Sequence, residues 1–271
     1  MAVEIHPTAI VSPQAHLGDG TVVGAYSIIG PKVILGERNR VGPHVVLDGN
    51  TKLGNENELF QFCSVGAKPQ DLKFHGEDST LEIGNKNIVR ECVTLQPGTE
   101  GGGMRTVIGN GNLFMANSHV GHDSMVGDGN IFANCVSLAG HVTVGNYVTL
   151  GGLSGIHQFV RLGDLSFIAA GAMVNLDIPP FCMAHGDRAA LVGLNVVGIQ
   201  RKGYSKTDLA DLKRLYRSIF FGTGVFRNRV AELIKSDGDT TPKKLLLSFV
   251  SDSPRGVTLP RSGGQDSSDE D

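Results

Sequence analysis

The stretch Val11-Ser12-Pro13-Gln14-Ala15-His16-Leu17-Gly18-Asp19-Gly20-Thr21-Val22-Val23-Gly24-Ala25-Tyr26-Ser27-Ile28-Ile29-Gly30 places an aliphatic residue at every sixth position: Val11, Leu17, Val23 and Ile29. The interval extends outward from there. One run goes from Ile5 through Leu35, Val41, Leu47, Leu53 and Leu59 to Val65, and a short one holds Ile83, Val89 and Leu95. A third begins at Ile108 and Phe114 and continues through Val120, Val126, Phe132, Leu138, Val144, Leu150, Ile156, Leu162 and Ile168 to Val174. Such a period belongs neither to a helix nor to a half-buried strand. Fixed hexapeptide repeats signal a parallel β-helix.

Each hexad supplies one short strand and one turn. The aliphatic points inward, and the Gly that often follows it (Gly18, Gly24, Gly36, Gly127) serves the turn, where a Cβ would clash. The fourth residue after the aliphatic is small or β-branched, as at Thr21, Ser27, Val45 and Val148. Three hexads close one triangular coil, so residues eighteen apart stack, and each coil buries its apolar positions against its neighbours. The expected class is mainly β: a β-helix over 1–190, a small helical domain over 191–258, and an acid-rich, disordered tail over 259–271.

The chain has 271 residues, 40% of them hydrophobic and 19% charged, with 37 Gly and no Trp. That length is ample for a large core plus a small domain. No stretch approaches a membrane span and Met1 to His6 has no signal-peptide character, so the expectation is a cytoplasmic protein without stable membrane insertion. The four cysteines (Cys63, Cys92, Cys135, Cys182) form no metal-type spacing. Cys63 and Cys135 read as small inward residues in a reducing compartment.

Two interruptions break the repeat. Between Val65 and Ile83 the phase holds but Asp71 and Glu77 fall on apolar positions, so residues 68–79 leave the coil as a loop. Between Leu95 and Ile108 the phase slips by one residue, which places a second excursion over 96–107 around Pro97-Gly98-Thr99-Glu100-Gly101-Gly102-Gly103. Loops on a rigid scaffold often carry its chemistry. The repeat ends at Val174, and Pro179-Pro180 breaks strand and helix alike. Beyond it Ser205 reads as an N-cap before a helix with Leu209, Leu212, Tyr216, Ile219 and Phe220 on one face. Gly222 to Gly224 ends that helix, and two shorter ones follow, around Val230 and after Pro242. Between Ile199 and Val230, eight basic residues, including Lys213, Arg214, Arg217 and Arg229, outnumber Asp208 and Asp211. This surface suits an acidic partner. Nucleic acid is not expected, because the basic residues lack aromatic interleaving and a reader motif.

Four histidines gather in the third run. Stacking by eighteen puts Gly140 over His122 and His141 over Asp123, while His157 lies one coil beyond Ala139 and His119 lies nearby. Imidazoles on adjacent coils can bind a metal. Alternatively one serves as a general base and the others as substrate contacts.

Five segments together resemble the UDP-N-acetylglucosamine O-acyltransferases of lipid A biosynthesis: Gln70-Asp71-Leu72-Lys73, Asn117-Ser118-His119-Val120-Gly121-His122-Asp123, Leu138-Ala139-Gly140-His141-Val142, Ile156-His157-Gln158-Phe159, and Gly193-Leu194-Asn195 through Gln200-Arg201-Lys202-Gly203. The resemblance spans about residues 1–257. It implies a left-handed coil, where the general crossover preference would give the opposite hand. It also implies transfer of a 3-hydroxyacyl chain from acyl carrier protein to the glucosamine 3-hydroxyl of UDP-N-acetylglucosamine, with no cofactor and no metal. The four-histidine edge is too open to hold both substrates alone, so a homotrimer with the site in a cleft between subunits is expected. On this resemblance His122 is the general base, Asp123 orients it and the Gly140 N–H holds the oxyanion. Asp71, Lys73, His119, His141, His157, Gln158, Asn195 and Arg201 are substrate contacts, Ala170 caps the acyl groove, and Lys213, Arg214 and Arg217 dock the carrier. Val197 stands where the family has an acid, Lys202 replaces an Arg, and His185 and Arg188 also depart from the family pattern. A related N-acyltransferase would carry a domain before its hexads, whereas here they begin at Ile5. A γ-class carbonic anhydrase would hold zinc on three histidines, and a non-enzymatic β-helix would have no reason to gather them.

Overall fold

The structure, a computed structural model, describes residues 2–236 and 240–261. The tail expected to be disordered lies, from Ser262 onward, outside the described residues.

Almost every hexad forms a two-residue strand, and the strands stack in parallel into three sheets of a left-handed β-helix. Sheet I starts with Glu4–Ile5 and Val22–Val23, sheet II with Ile10–Val11 and Ile28–Ile29, and sheet III with His16–Leu17 and Ile34–Leu35. The chain visits them in the order I, II, III, turning at three edges per coil. Most partners are one coil of eighteen residues apart, as in Glu4↔Val22 and His119↔Ser137. The aliphatics and the residues four beyond them line the interior: Leu35, Val33, Leu47, Val45, Leu150 and Val148 are all fully buried. At the same inward position, four beyond the aliphatic, asparagines bond to one another along the stack, whereas the hydroxyls of Ser118, Ser154 and Ser166 there have no partner among the described residues. Asn57, Asn87 and Asn112 each donate from Nδ2 to Oδ1 of the Asn one coil below at 3.0 Å.

The glycines after the aliphatic stand where a Cβ would clash, as expected, but they do not carry the left-handed turn. The left-handed φ of each turn falls on the third residue after the aliphatic and is mostly borne by other residue types, among them Tyr26 (58°), Arg38 (55°) and His44 (55°). Their strain is offset by hydrogen bonds between coils, such as Arg38 N to the Asp19 carbonyl at 2.8 Å. Gly directly after the aliphatic is required by close backbone stacking instead. A Cβ on Gly24 would sit 2.7 Å from the carbonyl carbon of Gly42. The same count corrects Cys135, which occupies a left-handed turn position (φ 62°) and is half-buried rather than inward. Cys63 is inward, and burial pushes its thiol up to about 12.

Both interruptions leave at the II/III edge. Ser64–Val65 ends a sheet II strand and Thr80–Ile83 resumes in sheet III. One coil above, Thr94–Leu95 is followed by a short 3-10 turn, Glu100–Gly102, and by Arg105–Ile108. The second excursion therefore closes by Met104, earlier than 107, because Arg105 to Val107 already pair with Thr80 to Glu82.

The coil also runs further than Val174. Ile178 bridges to Leu162, Pro180 packs under Gly163 at the III/I edge, and Cys182–His185 pairs in parallel with Phe167–Ile168. Ala190–Leu194 then folds back antiparallel on Cys182–His185 and closes sheet I. Among the described residues four helices follow: α1 (Val196–Arg201), α2 (Lys206–Phe221), α3 (Phe226–Ser236) and α4 (Thr241–Ser251). Ser205 and Asp208 form a reciprocal capping box on α2, whose buried face holds Leu212, Leu215, Tyr216 and Ile219. The chain returns along the β-helix, where Leu191 N donates to the Leu259 carbonyl and Pro260 bridges to Leu191, so the first residues of the expected tail are paired.

Candidate active site

The II/III edge brings one chemistry together over successive coils. Its turns hold His122 and Asp123, then Gly140 and His141, then His157, Gln158 and Phe159, with the two loops below them. The left-handed turn positions here are Asp123 (59°), His141 (61°) and Phe159 (66°). His141 stacks flat on Phe159, centroids 4.5 Å apart, and meets His122 edge-on at 5.0 Å.

His122 and Asp123 are buried and paired, Nδ1 to Oδ2 at 2.8 Å. The carboxylate is clamped from the second loop. Thr99 donates its backbone N–H to Oδ1 at 2.8 Å and its hydroxyl to Oδ2 at 2.6 Å. Both oxygens are thus occupied, and the pairing fixes Nδ1 of His122 as the donor and leaves Nε2 with its lone pair. Gly140 sits directly over that ring. A Cβ there would stand 2.6 Å from Nε2 and 2.5 Å from Cε1, so only Gly leaves Nε2 open to a substrate.

Burial shifts the neighbouring imidazoles toward their neutral forms. Burial lowers His119, with His122 adding to the effect, and its Nδ1 lies 2.6 Å from the Thr94 hydroxyl. Burial also lowers His141, reinforced by His122 and opposed by the charges of Asp123 and Asp71. The influence of Asp71 marks the first loop as part of the same surroundings. That loop turns at Asp71, whose Oδ1 accepts from Lys73 N at 3.0 Å, with Lys73 exposed. It is tied to the second excursion through Gln70 N to Gln96 Oε1 (3.2 Å) and Glu100 N to Glu77 Oε1 (3.2 Å). His157 and Gln158 are exposed, with Arg255 Nη2 3.4 Å from His157 Nδ1.

From this edge a groove of about 480 Å³ crosses the outer face of sheet II, floored by His119, Ser137, Gly155 and Met173. Ala170 is exposed at the I/II edge, on the far side of that sheet. Asn195 and Arg201 lie elsewhere. Asn195 caps α1, accepting from Gly198 N at 3.0 Å, and its Nδ2 donates to the Leu165 carbonyl at the III/I edge. Arg201 ends the same helix, and Lys202 packs over Tyr147 of that edge. Within one chain these residues do not meet the histidines.

On the helical region Lys213 is half-buried and Arg214 and Arg217 are exposed, with Arg214 3.3 Å from Asp211. Arg229 does not belong to that basic face. Its guanidinium caps α2, reaching the carbonyls of Ile219 at 2.7 Å and Gly224 at 2.9 Å. Thr99, Gly102 and Arg255 carried no functional reading from the sequence. The clamp on Asp123 spans residues 24 apart, and only the register across the loop reveals it.

His122, Asp123 and His141 place ligand-type atoms within 4.8 Å of one another, the arrangement a metal reading requires. The bonding partition favours acid–base chemistry. Three donors already converge on Asp123, while the distance from His141 Nε2 to Asp123 Oδ2 is 4.0 Å.

Residues 177–258 match the family described as Udp N-acetylglucosamine O-acyltransferase, domain 2, and residues 14–49 and 105–140 match bacterial transferase hexapeptide repeats. The acyl-(acyl-carrier-protein)–UDP-N-acetylglucosamine O-acyltransferase of Myxococcus xanthus is 49% identical over 255 residues, covering 94% of this chain and 99% of that protein. The protein of the same name from Aliarcobacter butzleri is 48% identical over 95% of this chain and 98% of its own length. The crystal structure of UDP-N-acetylglucosamine O-acyltransferase from Moraxella catarrhalis superposes with a TM-score of 0.91 at 40% identity, over 94% of this chain and 99% of that one.

Proposed function

The chain belongs to the family of acyl-(acyl-carrier-protein)–UDP-N-acetylglucosamine O-acyltransferases, and on that premise we propose that it moves a 3-hydroxyacyl chain from acyl carrier protein to the glucosamine 3-hydroxyl of UDP-N-acetylglucosamine, the first step of lipid A biosynthesis. The observation that carries the mechanism is the His122–Asp123 pair, with Nε2 left open beneath Gly140.

The sugar hydroxyl ionises far above neutral pH, so it needs a base as it attacks. His122 Nε2 takes that proton while the sugar oxygen forms its bond to the thioester carbonyl carbon. The carbonyl oxygen becomes an oxyanion, and the Gly140 N–H donates to it; no acceptor within the described residues takes that N–H. Collapse breaks the carbon–sulfur bond, and the departing thiolate recovers the proton from the imidazolium. No nucleophilic Ser or Cys is needed. His119, His141, Asp71 and Lys73 hold the sugar and the acyl hydroxyl, and His157 and Gln158 hold the phosphates or the pantetheine arm. The acyl chain runs along sheet II toward Ala170.

Asn195 and Arg201 contact the nucleotide of a site on a second copy. They sit at the III/I edge and the histidines at the II/III edge, so one ligand touches both sets only between subunits. This supports a site shared between subunits, in an assembly we read as a homotrimer. Acyl carrier protein docks on Lys213, Arg214 and Arg217, and the enzyme works in the cytoplasm. No helix among the described residues is long and apolar enough to cross a membrane.

The test is incubation with UDP-N-acetylglucosamine and a panel of hydroxyacyl carrier proteins, read by mass. One acylated sugar nucleotide at the 3-hydroxyl supports the reading, and no product with any donor sinks it. Activity abolished by chelators would replace the general base with a metal. Charge reversal at Arg214 and Arg217 should raise KM for the carrier and flatten its salt dependence, and light scattering should find the active species trimeric.

A further inference from the structure

Thr99 sits at the N-cap of the 3-10 turn Glu100–Gly102, where a Thr hydroxyl ordinarily accepts from the turn's own backbone. Here it makes no such cap. The turn is held through the main chain, Gly102 N and Met104 N both donating to the Thr99 carbonyl at 3.1 and 2.9 Å. The side chain is turned inward, 3% exposed, and its hydroxyl meets Asp123 Oδ2 at 2.6 Å while its own N–H meets Oδ1 at 2.8 Å. Gly102 closes the other side, since a Cβ there would lie 1.9 Å from the Asp123 carboxyl carbon. The insertion that interrupts the repeat is therefore wrapped around one carboxylate.

We infer that Thr99 is a positioning residue of the acyl transfer: it locks the Asp123 carboxylate in the plane that keeps the proton of His122 on Nδ1 and the lone pair on Nε2. The inference rests on the reading of His122 as the general base. The terminal torsion of an Asp is broad, so a carboxylate held only by His122 could rotate away from it. Two donors from one residue, one on each oxygen, remove that freedom. The Thr99 hydroxyl and His122 Nδ1 share Oδ2, and the N–H on Oδ1 sets the tilt. Gly102 lets the loop backbone approach closely enough for this grip. The second loop thus contributes to the reaction without touching a substrate.

The test uses the full chain. Thr99→Val keeps the shape and the backbone N–H but removes the hydroxyl, Thr99→Ser restores it, and Gly102→Ala disturbs the same carboxylate from the opposite side. The measurements are kcat and KM with both substrates, melting temperature, and the 15N shifts of the His122 ring. Thr99→Val should lower kcat about 10- to 100-fold, the equivalent of one charge-assisted hydrogen bond, with KM and melting temperature little changed. The His122 ring should pass from one tautomer to a mixture, Thr99→Ser should recover both readouts, and Gly102→Ala should follow Thr99→Val. Wild-type kcat in Thr99→Val overturns the inference, as does a kcat loss with the tautomer unchanged or a change confined to KM. His122→Ala separates the two readings. If it is inactive while Thr99→Val is normal, only the positioning role falls; if it is fully active, the general base itself falls.

Discussion

At the I/II edge His44 lies stacked between Tyr26 and Phe62, with centroids at 5.1 and 5.4 Å; at the II/III edge His141 lies stacked on Phe159 at 4.5 Å, with His122 against its side. Both histidines occupy the left-handed turn position of their hexads, His44 at 55° and His141 at 61°. The backbone, the stacking and the residue type are alike. The surroundings differ. Tyr26 and Phe62 stay 60% and 58% exposed, whereas His122 and Asp123 are 7% and 5% exposed. Both loops leave at the second edge, and one of them delivers two hydrogen bonds to Asp123. A repeat thus makes ladders of side chains everywhere, and an insertion converts one ladder into a sheltered, oriented pair.

The hardest test of that contrast is to remove one imidazole from each edge. His122→Ala should lower kcat by roughly 10²–10⁴-fold, the usual worth of general acid–base catalysis, with little change in KM. His44→Ala, in the open ladder, should leave kcat at the wild-type value. Steady-state assays on both variants check this, and equal losses would erase the distinction between the edges. Gly140→Ala comes next. Its methyl would lie 2.6 Å from His122 Nε2, the space that the proposed mechanism gives to the sugar hydroxyl. A fall in kcat of about 10²-fold is expected from blocking the base, with the fold intact by circular dichroism. Undiminished turnover would show that substrate reaches His122 from another side.

Gly24→Ala reverses the logic. Its Cβ would press on backbone, 2.7 Å from Gly42 and 2.8 Å from Pro43 N, at the I/II edge far from the chemistry. Overpacking of this kind costs about 1–3 kcal/mol. Denaturant unfolding should report that loss, while kcat per folded molecule stays unchanged. An activity loss without a stability loss would mean that the open edge has a catalytic role of its own.

The architecture was readable because a hexad of side chains alternating between interior and turn leaves a direct imprint on residue type. The stacking of Gly140 over His122 was readable for the same reason: position modulo eighteen is position in space. Other features leave no such imprint. The left-handed turn position accepts Tyr, Arg, His, Cys and Leu, because its cost is offset by a backbone hydrogen bond to the coil below, so no residue type marks it. Cys135 was misplaced by that one position. The last coil, through Ile178 and Cys182–His185, is hidden because Pro179 and Pro180 sit at an edge, where no ladder donor is required, and because Cys182 and Ala184 stand in for the usual aliphatic. Thr99 was invisible for a third reason. Its partner is fixed by how a seven-residue detour folds back, and a detour has no period to read. Arg229 counted as surface charge in the sequence, yet its guanidinium is spent on the end of α2.

The smallest expected effect is electrostatic and belongs to the sheltered edge alone. Burial holds the imidazoles of His119 and His141 below the ordinary histidine range, since the charged ring loses more solvation than the neutral one. In the unfolded chain the same rings regain their usual affinity, near pH 6.5. As the pH falls through that value the unfolded state takes up protons that the folded state does not, so unfolding is favoured. The stability contributed by the neutral rings is therefore complete above about pH 6.5 and is lost as the pH drops toward the lowered folded values. His119→Gln removes one of these protons from the cycle and keeps a polar group for Thr94. Thermal melts at about pH 7.5 and pH 5.5 should show a smaller acid-induced drop in melting temperature for His119→Gln than for the wild type. His141→Phe, stacked on Phe159, should shrink it less, because the neighbouring Asp123 carboxylate partly offsets the burial of His141. If both variants lose as much as the wild type between these pH values, the acid sensitivity arises elsewhere, and shelter at the II/III edge has no titratable signature.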